Sequence, residues 1–166
     1  MNHMIKAGLM ALGLLAAAGA HAGTETNVPG NQCDPQRFGG GTSAEYTRGY
    51  GPAIKYTGNA FGGGSVYCPV TVEEARGLSI SSLTVDIVNG TPGYFGGSGC
   101  YLVSHTRTGQ ETARQWRNAP NGTNSAATLS FSPQTFPEDG SMSLNCQLNQ
   151  NSLVRTIKYR QPVWQP

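Results

Sequence analysis

Three histidines, nine carboxylates and four cysteines are the side chains of this chain best suited to catalysis or metal ligation. Two of the histidines sit in an N-terminal segment with the pattern of an export signal. It has a charged start ending at Lys6, an apolar run from Ala7 to Ala18, and then Ala20-His21-Ala22, the small-x-small pattern read by signal peptidase. Cleavage after Ala22 removes His3 and His21 and leaves His105 as the only imidazole. A Ser-His-Asp arrangement would have to use it, yet the chain has no GxSxG elbow, and Ser104 and His105 fall on opposite faces of one strand. His105 therefore reads as a surface or hydrogen-bonded strand residue.

Glycoside hydrolysis needs two acids facing each other across the scissile bond. The only adjacent acids, Glu73-Glu74 and Glu138-Asp139, are loop neighbours that point apart into water. Asp86 alternates with Val85 and Ile87, which turns it away from the core and toward a cross-strand pair with Arg or Lys. No glycine run ends in GK[ST], so a phosphate-binding loop is not indicated.

Cys33, Cys68, Cys100 and Cys146 form an even set in the exported part, as expected of disulfides in an oxidising compartment. The absence of CxxC and of paired histidines argues against a metal site, and no cofactor is expected. Sequence alone leaves three pairings open. Cys33 with Cys68 and Cys100 with Cys146 is favoured, since the first would pin a glycine-rich leader to the body. The candidate binding residues are aromatic: Tyr94 and Phe95 in a glycine-flanked loop, and Trp116 near a strand end, with Trp164 near the end of the chain. Exposed aromatics on a β-scaffold stack on sugars or anchor a protein partner, because they supply large contact area at small entropic cost. The structural alternative is that they plug the open ends of the fold.

The elements that must position these residues are strands. Residues 23–64 form a leader rich in Gly, Pro, Asn and Thr, with one short strand at Ala53 to Tyr56. From residue 65 to 166 the alternation is regular. It predicts strands at Ser65–Val72, Leu78–Val88, Cys100–Thr106, Glu111–Arg117, Ala126–Ser132, Ser141–Leu148 and Leu153–Arg160. Pro69 places the first of these at an edge or a bulge. The slip in alternation at Ser81-Ser82 predicts a bulge in the second. Val72 to Arg76 is the one segment suited to a helical turn. Leader and core together predict a single all-β domain, an antiparallel β-sandwich of about seven to eight short strands stapled by disulfides.

The order of leader cysteine, Val66-Tyr67-Cys68-Pro69-Val70, Gly99-Cys100-Tyr101-Leu102 and Leu144-Asn145-Cys146-Gln147-Leu148 resembles a group of small exported four-cysteine bacterial β-sandwich proteins of unassigned function. The resemblance covers most of the chain after the signal. It departs after Pro69, where Thr71-Val72-Glu73-Glu74-Ala75-Arg76 stands in place of the polar run of that group. It implies the fold and the exported address, and no site.

Charge excludes a nucleic-acid binder. Lys6 leaves with the signal, so ten basic side chains face nine acidic ones, and Arg107, Arg114 and Arg117 are interrupted by Glu111. No stretch after the signal reaches the roughly 20 apolar residues of a membrane span. The sequence thus points to a periplasmic or secreted, non-enzymatic domain that binds a protein or a glycan through its loops. The alternatives are an envelope component assembling through β edges, and a hydrolase or toxin.

Overall fold

In Ser82–Val88 every second side chain is apolar, and Leu83, Val85 and Ile87 are all but fully buried. The same period of two puts Val66, Cys68 and Val70 inside on Gly64–Val70, and Met142, Leu144, Cys146 and Leu148 inside on Ser141–Leu148. In the computed structural model these strands build an antiparallel β-sandwich, described for residues 24–36, 46–58, 63–71, 79–91, 97–135 and 139–162.

The strands in chain order are β1 (Thr24–Pro29), β2 (Asp34–Gln36), β3 (Tyr46–Tyr50), β4 (Ala53–Tyr56), β5 (Gly64–Val70), β6 (Ser79–Ile80) and β7 (Ser82–Val88). They continue with β8 (Gly99–His105), β9 (Glu111–Asn118), β10 (Ala126–Phe131), β11 (Gln134–Thr135), β12 (Ser141–Leu148) and β13 (Leu153–Gln161). One sheet runs β10-β7-β13-β4-β3, with β1 also paired to β13, and the other runs β2-β5-β12-β8-β9. Strands β6 and β11 form a separate two-stranded ribbon. One hydrophobic core joins the inner faces of the two large sheets. No helix among the described residues is long and apolar enough to cross a membrane.

The expectation of seven to eight strands is corrected to thirteen among the described residues, several of them two or three residues long. The leader supplies β1, β2 and β3 besides the expected β4. Strand β1 pairs with β13 over six residues, yet Val28 is its one core residue among those whose burial is described, so alternation carried little signal. The bulged strand expected at Leu78–Val88 is instead broken at Ser81, whose amide bonds to the Arg160 carbonyl at 2.9 Å, and β6 and β7 enter different sheets. Pro69 is accommodated because β2 pairs with β5 only over Ser65 to Tyr67, which leaves Pro69 beyond the reach of that neighbour. The signal segment and Val72 to Arg76 lie outside the described residues.

Cys33 bonds Cys68 and Cys100 bonds Cys146, all four fully buried. Cys100 and Cys146 are direct register partners on β8 and β12, with Cα atoms 4.0 Å apart. Side chains also close both open sides of the sandwich. On one side the Gln115 amide accepts from the Ser132 backbone N–H (2.9 Å) and donates to the Ser132 carbonyl (3.2 Å), as a neighbouring strand would, and Arg117 donates to the Ser130 carbonyl at 2.9 Å. On the other, the Tyr46 hydroxyl donates to the Ser65 carbonyl (2.9 Å) and accepts from the Ser65 N–H (2.7 Å), which ties β3 to β5. These contacts occupy backbone groups that would otherwise template pairing with another chain.

Closing the 46-residue separation between Cys100 and Cys146 restricts the unfolded chain. Replacing both by alanine is expected to lower the unfolding free energy by about 2–4 kcal/mol, read from the urea midpoint by circular dichroism.

Candidate binding face

The inward side chains of the five-stranded sheet are mostly apolar, with Ser104, Gln115 and Arg117 the polar ones toward β9, and its outward ones carry the chemistry. Register fixes which of them align. Tyr67 on β5 lies opposite Asn145 on β12, Asn145 lies opposite Tyr101 on β8, and Tyr101 lies opposite Trp116 on β9. One row across four neighbouring strands therefore reads Tyr67-Asn145-Tyr101-Trp116. With strands about 4.8 Å apart, three steps span about 14 Å. The adjacent row reads Pro69-Ser143-Val103-Arg114, and the next pairs Ser141, His105 and Glu111. Val103, Ser143 and Asn145 face outward yet are only 2%, 5% and 8% exposed, whereas Trp116 is 38% exposed. The middle of the face is thus almost withdrawn from solvent, and Trp116 is the one large hydrophobic side chain exposed among the described residues.

Trp116 is held from three directions. Its indole N–H donates to Asn118 Oδ1. Its ring plane lies within 26° of that of Tyr101, with centroids 5.7 Å apart. Its Cζ2 reaches over Gly99, where a β-carbon would come within 2.9 Å of it and within 2.7 Å of the Arg117 carbonyl oxygen. The missing side chain at Gly99 is therefore what makes room for the indole on the sheet. Arg114 places its guanidinium 5.1 Å from the centre of the Tyr101 ring, a cation–π contact. Glu111 accepts from Arg114 Nε (2.9 Å) and Nη2 (2.6 Å). That hydrogen bond holds the Glu111 carboxyl below its ordinary range and the Arg114 guanidinium above its own. A depressed carboxylate keeps its partner at neutral and mildly acid pH and releases it only as pH falls through the lowered value. The pair is solvent-exposed, so it orients Arg114 more than it stabilises the fold.

Of the aromatic residues singled out in the sequence, Trp116 stands in this row, while Tyr94, Phe95 and Trp164 lie outside the described residues. His105 is half-buried and faces outward, and Ser104 is buried and faces inward, its hydroxyl 2.9 Å from Thr112 Oγ1. Asp86 lies opposite Thr128 and Thr156 and accepts from the Thr128 hydroxyl at 2.7 Å, which corrects the expected pairing with a basic neighbour. It borders a depression of about 260 Å³ on the other sheet, next to Arg155 and the bulge between Val154 and Thr156. The remaining described carboxylates are each paired: Glu25 with Arg160, Asp34 with Arg48, Glu111 with Arg114 and Asp139 with Arg107. No group of three metal-ligating side chains occurs among the described residues.

Sequence reasoning passed over Tyr67, Tyr101 and Asn145. The signal was present, since each alternates with core-facing cysteines, but which strands are neighbours is not written in any one strand.

Comparison with solved structures finds distant likenesses. The chain is similar to a low-affinity xylan-binding module, CBM86, from the gut symbiont Roseburia intestinalis, at 10% identity over 84% of this chain and 96% of that one, with a TM-score of 0.47. It is also similar to CsCBM6-3 from Clostridium stercorarium, solved in complex with cellobiose, at 12% identity over 86% and 90% of the two chains, with a TM-score of 0.34. Identities this low carry no residue's role from one chain to the other. No protein-family model and no curated protein matches the sequence.

Gly99→Ala is expected to lift the indole from its bed. In a Trp164→Phe background this should red-shift the emission of Trp116 and cost about 1–3 kcal/mol, since the backbone of β9 must also give way.

Proposed function

We propose that this domain is a non-enzymatic, exported glycan-binding module whose binding surface is the outer face of the β2-β5-β12-β8-β9 sheet. The observation that carries the reading is the row Tyr67-Asn145-Tyr101-Trp116, in which three aromatic side chains flank one amide across four strands. A sugar ring offers an apolar face of C–H groups and a rim of hydroxyls. Aromatic rings complement the first, and Asn145, Ser143 and Ser141 complement the second. The surface is a sheet face in place of the loops anticipated from Tyr94 and Phe95. The export pattern at residues 1–22 and the two disulfides support a periplasmic or secreted address.

Assembly through sheet edges is disfavoured at the β9–β10 side, where Gln115 and Arg117 already bond the backbone of β10. A hydrolase is disfavoured because the described carboxylates are engaged singly and none faces another.

A glycan array probed with the mature domain tests the reading, with Trp116→Ala and Tyr101→Ala as controls. Each variant is expected to bind at least tenfold more weakly, a loss of about 1.4 kcal/mol or more, while keeping the wild-type circular dichroism. Undiminished binding by both variants would place the site elsewhere.

A further inference from the structure

The charges on this face point to the kind of glycan it takes. Resting on the reading just given, we infer that the ligand is an uncharged chain lying across the strands, with Asn145 reading its hydroxyls at the centre of the row. Arg114 is a cation beside the aromatic row, and Glu111 holds it through two hydrogen bonds of 2.9 and 2.6 Å. Asp34, opposite Tyr67 at the other end of the row, is paired with Arg48 at 3.3 Å. Each end of the row thus carries a compensated ion pair, and the space between is filled by rings, hydroxyls and one amide. Among the described residues a uronate or sulfate group would meet no unpaired cation beside this row and would lose its hydration without a partner.

Asn145 is suited to the central role. It is 8% exposed, it stands between Tyr67 and Tyr101, and the one hydrogen bond of its side chain among the described residues is a long one, 3.4 Å, donated to Ser143 Oγ. An amide offers two N–H donors and a carbonyl acceptor, so it can both give to and take from the hydroxyls of a ring stacked beside it. The row crosses four strands, so a ligand that uses all of it runs perpendicular to them. An extended chain does this, and a single sugar does not.

The test is affinity electrophoresis of the mature domain in gels containing hydroxyethylcellulose, glucomannan or xylan, beside gels containing polygalacturonate or heparin, at low and high salt. Retardation by a neutral polysaccharide that persists in high salt, with none by the polyanions, is the expected result. Glu111→Gln, an exposed change that frees Arg114, should add salt-sensitive retardation by the polyanions. Asn145→Ser should weaken neutral binding at least tenfold, with the near-ultraviolet circular dichroism reporting that the fold is kept. Salt-sensitive binding of the wild-type domain to polyanions would overturn the neutral ligand while leaving the glycan reading intact. Retardation by none of the five polymers would overturn both.

Discussion

The constraint on which the candidate face depends is the register between β8 and β12. Cys100 and Cys146 sit directly opposite each other on the inner side of the sheet and are covalently joined. Because successive side chains alternate between faces, a slip of one residue would turn Tyr101 and Asn145 into the core and the half-cystines out of it. The disulfide forbids that slip. Cys33 and Cys68 act likewise where the leader meets β5, one residue from Tyr67. The outer row is aligned because the inner row is bonded, and β2, at one edge, can then be short without losing its place.

A second restraint acts at the end of the sheet where β8 begins. Asn89, Ser98 and Ser152 are fully buried and satisfy one another and the surrounding backbone. The Asn89 amide donates to the Pro120 carbonyl (3.1 Å) and accepts from the Ser98 N–H (3.3 Å). The Ser98 and Ser152 hydroxyls are 2.7 Å apart, and Ser152 also accepts from the Gly90 N–H at 2.7 Å. The Ser98 hydroxyl accepts from the Asn149 N–H (2.9 Å), and the Ser98 carbonyl accepts from the Ala119 N–H (2.8 Å). Gly90 is required there, since a β-carbon would stand 2.0 Å from the Gln150 carbonyl oxygen. A buried polar network that is this well satisfied fixes one geometry and resists others. It fixes the segment that leads into Gly99, and so the bed on which Trp116 lies.

Much of the fold was legible because one inner face imposes a period of two. Strands β8, β10, β12 and β13 carry much of the core, and their expected bounds lie within a residue of those observed, whereas the two-residue β11 was not anticipated. Strand β1 was illegible because its pairing with β13 uses backbone groups and buries little more than Val28. The break between β6 and β7 was visible as a slip in alternation but was open to two readings, a bulge or a change of sheet. The candidate face was the least legible part. Trp116 could be singled out by its type, but Tyr67, Asn145 and Tyr101 become a site only through pairing among strands far apart in the chain, which no local pattern encodes.

The outer face of the five-stranded sheet is the proposed place of ligand binding. The most direct measurement is a titration of the isotopically labelled mature domain with a soluble neutral oligosaccharide, followed by two-dimensional NMR of the backbone amides, the indole N–H of Trp116 and the side-chain amide of Asn145. The account predicts that the largest shifts fall on Trp116, Asn145 and the backbone of Tyr67 and Tyr101, with the other sheet unmoved. Shifts confined to the loops or to the outer face of β10-β7-β13, around Asp86 and Arg155, would contradict it.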